Sequence, residues 1–442
     1  MITATHVTNI NPYPIARPKI QYHKEPKFKK QITTAFAHSI ATGKNEILKL
    51  DNSKYARELC GKHSIQKIFS IYWKDFFEAN QHRITRESIV KNVEKMISCR
   101  DITKGFLFYQ CPNCDNYHLT GLTCKSRFCT SCGKKYNDAR STSISEKCIK
   151  TPHRHMVFTI PYELRVKFRV NRDLIECLFN AIDDTFKYIA HKMAPKKEYR
   201  FGFISTLHTF GRALNFIPHL HVLIAEGVYD KDNKFKKVSY FNFELLRKTF
   251  QKCLLQRIHN VIGDDFKKEK NVYYRKYKSG FYVYAPRLQV SNCKGGLKAL
   301  IKYITRYAGH PPMSESRILN VDYDFDTITY FYDPHEDDNE LEQSKLKGRQ
   351  YVTEHIWDFI GKLIVHISED NKHNVRYYGF YSNKTSIDSS KDNLKLYSKC
   401  DILNMRKMQC YSYRLLKSYG YEIYRCYCGH IMILDIESSC FP

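Results

Sequence analysis

Apolar residues recur at three- and four-residue spacing in several stretches of the chain, which is the pattern of amphipathic helices. The clearest stretch is 64–97, where Ile65, Ile68 and Phe69 begin one apolar stripe and Ile89 and Val93 belong to a second helix. The same spacing predicts helices at 162–193, 242–262 and 352–367. Glycine and proline residues bound a further predicted helix at 294–312.

Short apolar runs between these helices predict strands. One is predicted at Met156–Ile160, and a pair at Phe203–Phe210 and His219–Ala225 flanks a turn that contains Gly, Asn and Pro. Further strands are predicted at 278–290 and, as two alternating runs, after residue 313. This order of elements predicts an α+β fold, in which a mainly antiparallel sheet is flanked by helices.

The second strand of the central pair carries two histidines. Residues two apart in a strand project on the same face, so the imidazoles of His219 and His221 lie side by side. If the two strands pair, His208 on the first comes near them, and three converging imidazoles suit a divalent metal. A His-x-His pair is also common without any metal, as at His153 and His155. His208 would equally serve as a hydrogen-bonding residue inside the sheet.

Cysteines cluster in one part of the sequence, since seven of the 16 fall between Cys99 and Cys148. Without a secretion signal, such a cluster indicates a metal rather than disulfides. Two Cys-x2-Cys knuckles are separated by fourteen residues, which predicts a four-cysteine structural zinc site formed by Cys111, Cys114, Cys129 and Cys132.

Other residues of the cysteine block have less certain assignments. Cys99, Cys124 and His118 either form a second site or are spare. Lys125 and Arg127 border the second knuckle, where they are expected to contact DNA phosphates.

Charge indicates the kind of partner. Lys and Arg total 72 against 45 Asp and Glu, a net charge of +27 that is spread through the chain. This favours nucleic acid as the partner, although a lysine-rich proteome would also raise the charge. The 33 Tyr and 27 Phe exclude a disordered chain. With no apolar stretch of about 18 residues and no apolar signal at the N-terminus, we expect a cytoplasmic, nucleoid-associated protein.

The predicted helix at 294–312 carries a candidate nucleophile. Tyr303 and Tyr307 are four residues apart and share one face, and the cations around them are Lys298, Lys302 and Arg306. A tyrosine can attack phosphorus to form a phosphotyrosine, and a metal would polarise the phosphate. Two aromatic core residues on a helix would have the same spacing, but the surrounding cations fit a face that meets a phosphodiester.

Together these motifs resemble the two-tyrosine rolling-circle transposases of bacterial insertion sequences, in the HUH endonuclease superfamily. The similar segments are the cysteine block ending in SCGKK, RHMVFTIP, TLHTFGRALNFIPHLHVLI, KYITRYAGHPP and VRYYGFYS. They follow the family's order over roughly residues 64–382. A weaker similarity continues at RCYCGHIMIL, residues 425–434.

The resemblance implies an HUH-type antiparallel sheet flanked by helices, preceded by a helical and zinc-ribbon-like domain. His219 and His221 would bind catalytic Mg²⁺ or Mn²⁺, with His208 as the candidate third ligand. Two imidazoles suit Mn²⁺ better than Mg²⁺. Tyr303 and Tyr307 would be the nucleophiles, which attack single-stranded DNA at the transposon ends and at the target, hold the 5′-phosphate and free a 3′-hydroxyl.

Two positions depart from the family pattern. Phe128 stands where the family commonly has a histidine before the second knuckle. Near the C-terminus, Cys426-Tyr427-Cys428 is one residue short of the family's Cys-x2-Cys, so we expect no second zinc there.

Four domains are expected: a basic arm at 1–60, a helical and zinc-binding domain at 61–150, the nuclease domain at 151–312, and C-terminal strands and helices at 313–442. The expected function is metal-dependent DNA nicking and strand transfer. The alternatives are a non-catalytic, zinc-containing DNA-binding regulator and a rolling-circle replication initiator. The basic-aromatic segment VRYYGFYS, residues 375–382, is expected either to pack in the core or to stack on unpaired bases.

Overall fold

The computed structural model describes residues 64–114, 116–238, 240–284, 312–334, 348–382, 395–407, 410, 413 and 424–441. The predicted arm at 1–60 lies outside these residues, as do Tyr303 and Tyr307 of the predicted tyrosine helix. Among the described residues, no helix is long and apolar enough to cross a membrane.

Helices and strands follow one another along the chain in a mixed order. The helices are α1 (Ile65–Asn80), α2 (Glu87–Ile97), α3 (Thr130–Lys147), α4 (Tyr162–Val170), α5 (Leu174–Met193), α6 (Phe243–Ile262), α7 (Lys267–Lys276), α8 (Ile356–Ile364) and α9 (Lys399–Lys407). The strands are β1 (Phe106–Gln110), β2 (Tyr117–Gly121), β3 (His153–Thr159), β4 (Arg200–Phe210), β5 (Phe216–Tyr229), β6 (Phe235–Lys237), β7 (Val283–Tyr284), β8 (Ile318–Asp322), β9 (Thr327–Tyr332), β10 (Gln350–His355), β11 (Val375–Gly379) and β12 (Ile433–Cys440).

The chain divides into two compact units. The smaller unit takes its described residues from 99–123 and from the C-terminal region after 408. Its core element is a three-stranded antiparallel sheet in the order β12-β1-β2. Two small clusters of buried side chains hold this sheet, one around Phe106 and Phe108 and the other around Tyr109 and Met432.

The larger unit contains the main sheet, in the order β11-β4-β5-β3-β7, with β6 paired to β5. Along β5 the side chains alternate between the two faces. Leu220, Val222 and Ile224 belong to the large hydrophobic core that also includes the buried sides of α5 and α6. Leu223 and Ala225 belong to a smaller cluster on the other face. His219 and His221 share the parity of Leu223, so they project on the face opposite the large core.

The register of the main sheet decides which residues meet. In the antiparallel pair β4–β5, His208 lies directly opposite His219 and Thr206 opposite His221. In the pair β3–β5, His155 lies opposite Leu223 and is therefore a diagonal neighbour of His221. The hairpin predicted from the sequence thus forms, and β3 adds a fourth histidine to the same face.

The predicted α+β class with antiparallel sheets is confirmed, but several strand boundaries differ from the prediction; of the described residues 278–284, only Val283–Tyr284 form a strand. Two predicted helices also differ. The predicted helix 162–193 is interrupted after Val170, where the side chain of Asn171 accepts a hydrogen bond from the Asp173 backbone N–H (3.0 Å) and forms a turn. The predicted helix 352–367 begins only at Ile356. The preceding residues pair with β9 as β10, because a strand partner is available there.

Candidate metal centre and thiol clusters

Three imidazoles converge at one end of the hairpin formed by β4 and β5. One ring nitrogen of each of His208, His219 and His221 lies within 4.8 Å of the others. His208 and His221 are buried, and His219 is half-buried. All three residues that the sequence proposed for the catalytic metal are therefore brought together.

Hydrogen bonds orient the two histidines of β5. His219 Nδ1–H donates to the carbonyl oxygen of Ile217 (2.7 Å), which leaves its Nε2 with a lone pair. That Nε2 lies 3.2 Å from Nε2 of His221. On its other side, Nδ1 of His221 lies 2.9 Å from Nε2 of His155, and the two rings are stacked 5.1 Å apart.

Burial keeps these imidazoles neutral. Desolvation lowers the pKa of His219 to about 4 and the pKa of His155 to about 4. The pKa of His221 is lowered well below its usual value, first by burial and then by the neighbouring imidazoles. Neutral imidazole is the form that binds metal, so at pH 7 His219 and His221 are in the ligating state.

The geometry of this histidine cluster fits a divalent ion. Two donors at right angles on an ion about 2.1 Å away would lie about 3.0 Å apart, close to the 3.2 Å between the two Nε2 atoms. With an ion bound, His221 would present its Nε2 lone pair and donate from Nδ1–H to His155. His155 would thus orient the ligand His221. A metal-binding histidine almost always donates its other ring N–H to such a hydrogen-bond partner.

A cleft beside this cluster has His208 in its wall. Arg127, one of the predicted DNA-contacting residues, also lines the cleft, as do the acidic Glu369 and Asp370. Burial lowers the pKa of the Arg127 guanidinium, which lies 5.7 Å from the ring of Tyr136. The cleft therefore places one cation near the candidate metal ligands.

The other predicted DNA-contacting residues are placed as follows. Lys125 is exposed, with a left-handed backbone (φ 55°). Lys298, Lys302 and Arg306 lie outside the described residues, with the two tyrosines.

The cysteines form different groups from the one predicted. In the smaller unit, the sulfurs of Cys111 and Cys114 lie within 4.8 Å of those of Cys426 and Cys428. In the larger unit, the sulfurs of Cys124, Cys129 and Cys132 also lie within 4.8 Å of one another. His118 belongs to neither group.

The single site predicted from Cys111, Cys114, Cys129 and Cys132 is not formed, because each pair of thiols finds partners in its own unit. Spacing alone could not reveal this. The partners of Cys111 and Cys114 are more than 300 residues away in the sequence and arrive through the pairing of β1 with β12.

The segment VRYYGFYS packs as a strand and turn within the larger unit. Phe380 and Tyr381 are buried, and the ring of Tyr378 stacks on Phe203 at 4.7 Å. The Tyr381 hydroxyl lies 2.6 Å from Nε2 of His153, which gives this first histidine of the second His-x-His motif a structural role. In the described fold, these aromatic residues therefore pack against other parts of the larger unit.

Two family models and two curated relatives match parts of this chain. Residues 202–388 match the family Y2_Tnp, described as "Putative transposase", and residues 68–160 match Zn_Tnp_IS91, described as "Transposase zinc-binding domain". A transposase for insertion sequence element IS801 from Pseudomonas savastanoi pv. phaseolicola is 28% identical over 335 residues, or 70% of this chain and 76% of the relative.

A second relative, from Sinorhizobium fredii and titled "Putative transposase y4qJ", is 24% identical over 311 residues, or 65% of this chain and 72% of the relative. No solved structure matches the chain.

Proposed function

The chain belongs to the insertion-sequence transposases that combine a transposase domain with a transposase zinc-binding domain, and we propose that it cuts and rejoins single-stranded DNA through a covalent 5′-phosphotyrosine. A transposase acts on DNA, which agrees with the net charge of +27. The observation that carries the finer proposal is the convergence of His208, His219 and His221 beside a cleft on an antiparallel sheet.

The histidine cluster would hold Mn²⁺ or Mg²⁺ through imidazole nitrogens. When bound, such an ion polarises the scissile phosphate and stabilises the charge that develops on its oxygens. The chain's own part is to hold His219 and His221 in a fixed orientation through the carbonyl of Ile217 and the ring of His155. Arg127 in the wall of the cleft would contact the DNA backbone.

Tyr303 and Tyr307 are the proposed nucleophiles. The tyrosine oxygen attacks phosphorus, an O–P bond forms, and the bond from phosphorus to the 3′ oxygen breaks. The leaving 3′ oxygen takes a proton and becomes a free hydroxyl, while the tyrosine gives up its own proton. A second strand transfer reverses this exchange with another 3′-hydroxyl, so the bond energy is retained and no nucleotide cofactor is needed.

The zinc-binding domain is proposed to hold a structural zinc through Cys124, Cys129 and Cys132. Three thiolates leave one position of a tetrahedral zinc site for a further ligand. Because the protein would act on genomic DNA, we place it in the bacterial cytoplasm, at the nucleoid.

The test is a cleavage assay with purified full-length protein, single-stranded DNA carrying the element's ends, and Mn²⁺. A covalent protein–DNA adduct on a denaturing gel is expected for the wild type. It should be lost in the double variant Tyr303→Phe/Tyr307→Phe and in His219→Ala. Tyr277→Phe, from another Tyr-x3-Tyr pair, is the matched control and should keep the adduct.

Two results would refute the proposal. One is an adduct that persists in the double tyrosine variant. The other is DNA binding without any adduct, which would point to the non-catalytic regulator instead.

A further inference from the structure

The C-terminal cysteines lie on a turn that directly precedes β12. Cys426 N–H donates to the carbonyl of His430 (2.9 Å), and Gly429 N–H donates to the carbonyl of Cys426 (2.9 Å). Gly429 adopts φ 89°, a conformation that favours glycine. The turn is therefore a closed knuckle, although it has one residue fewer between its cysteines than a Cys-x2-Cys motif.

The N-terminal knuckle has the same construction at the end of β1. Cys111 N–H donates to the carbonyl of Asn116 (2.7 Å), which closes the turn that holds Cys114. Gln110, the last residue of β1, pairs with Ile433, the first residue of β12. Because the paired strands bring both turns to the same end of the sheet, the two knuckles face each other.

The four sulfurs form one group rather than two separate pairs. Cys114 Sγ lies 3.4 Å from Cys426 Sγ and 3.5 Å from Cys428 Sγ, and Cys111 Sγ lies 3.5 Å from Cys428 Sγ. These separations are far longer than the ~2.05 Å of a disulfide. In a tetrahedral zinc site with Zn–S of about 2.3 Å the sulfurs are about 3.8 Å apart, which is close to the observed spacing.

The side chain of Asn116 provides a hydrogen-bond donor to the thiols, as metal-bound thiolates require. Asn116 is buried, and its Nδ2 donates to Cys114 Sγ (3.1 Å) and lies 3.7 Å from Cys426 Sγ. An N–H donor directed at sulfur stabilises thiolate ligands and fixes their orientation.

We infer that Cys111, Cys114, Cys426 and Cys428 bind a structural Zn²⁺, separate from the zinc proposed for Cys124, Cys129 and Cys132. The smaller unit needs such an ion, because its described core consists of two small clusters on a three-stranded sheet. A metal supplies the folding free energy that a core of this size lacks. The ion would join segments that are more than 300 residues apart in the sequence.

The first test measures zinc in the purified full-length wild-type protein by mass spectrometry, with a colorimetric chelator as a second readout. We expect about two zinc ions per chain, and X-ray absorption should show mainly sulfur neighbours around zinc. This measurement needs no variant, so misfolding cannot explain its result. A content of one zinc per chain, or a Cys428 disulfide in a non-reducing peptide map, would count against the inference.

Variants then assign the ions. Cys426→Ser/Cys428→Ser should reduce the content from about two zinc ions to about one, and Cys124→Ser/Cys129→Ser should do the same. Cys400→Ser, at an exposed cysteine outside both groups, should leave two. If the C-terminal double variant keeps both ions, the inference is wrong. Since zinc content is read without any DNA cleavage, this result is independent of the phosphotyrosine mechanism.

Discussion

Replacing His155 with phenylalanine, which keeps a ring but has no acceptor nitrogen, tests whether the candidate metal centre depends on a residue that is not itself a proposed ligand. Nε2 of His155 lies 2.9 Å from Nδ1 of His221, and both rings are buried. Without this partner, the Nδ1–H of metal-bound His221 loses its acceptor. An unsatisfied buried donor costs about 1–3 kcal/mol.

The effect of such partners on metal affinity in other metal sites gives a free energy of the same size. Loss of a hydrogen-bond partner to a ligating histidine typically lowers metal affinity by about 10–100-fold. At about 1.4 kcal/mol per factor of ten, that is about 1.4–2.8 kcal/mol, within the range for the lost hydrogen bond. We therefore expect His155→Phe to weaken Mn²⁺ binding by about 10–100-fold with little change in the number of sites.

The assay is a titration of the purified protein with Mn²⁺, in which electron paramagnetic resonance reports the free ion. His153→Phe is the matched control, because His153 lies on the same strand, is also buried, and contacts Tyr381 rather than His221. Its Mn²⁺ affinity should stay within about threefold of wild type. Equal affinity losses in the two variants, or an unchanged affinity in His155→Phe, would refute the reasoning.

Three further predictions concern the free energy of unfolding, measured in urea. Tyr381→Phe removes a buried hydroxyl that hydrogen-bonds within the core and should cost about 1–3 kcal/mol. The control Tyr351→Phe, at an exposed ring, should change stability by less than about 0.5 kcal/mol. Equal effects of the two variants would contradict this prediction. Phe158→Ala should cost about 3–5 kcal/mol, because the ring is fully buried against two other phenylalanines, and a loss below about 1 kcal/mol would be inconsistent with that packing. The hydrogen bonds from Arg376 hold the pKa of Glu176 below its ordinary 4.5, so this carboxylate stabilises the fold above that pH and the contribution is lost as the pH falls through the lower folded-state pKa. Glu176→Gln should therefore be less stable than wild type at pH 7, with the difference shrinking in acid; a difference independent of pH would argue against this ion pair.

The histidine cluster could be predicted because the residues that form it lie close together in the sequence. His219 and His221 share a face through the period of a strand, and a short turn brings His208 opposite His219. The role of His155 could not be predicted, although its His-x-His motif is visible in the sequence. It depends on the pairing of β3 with β5, and no turn connects those two strands directly.

The partners of the cysteines also could not be predicted from the sequence. The knuckles could be recognised from spacing, but spacing does not say which knuckles face each other. A Cys-x2-Cys pair presents two thiolates to any suitable partner, and the pairing of β1 with β12 selects the distant C-terminal turn. The shorter Cys426–Cys428 spacing looked unsuitable because the turn conformation of Gly429 is not evident from the residue count.

The pairing of β1 with β12 also sets the order in which the chain can fold during synthesis. Gln110 pairs with Ile433, so β1 leaves the ribosome more than 300 residues before its partner exists. At about 5–20 residues per second, that interval is roughly 15–65 seconds. During that time the larger unit can fold while one edge of β1 has no partner strand. A premature stop codon or frameshift anywhere in the intervening coding sequence would therefore leave the smaller unit permanently incomplete.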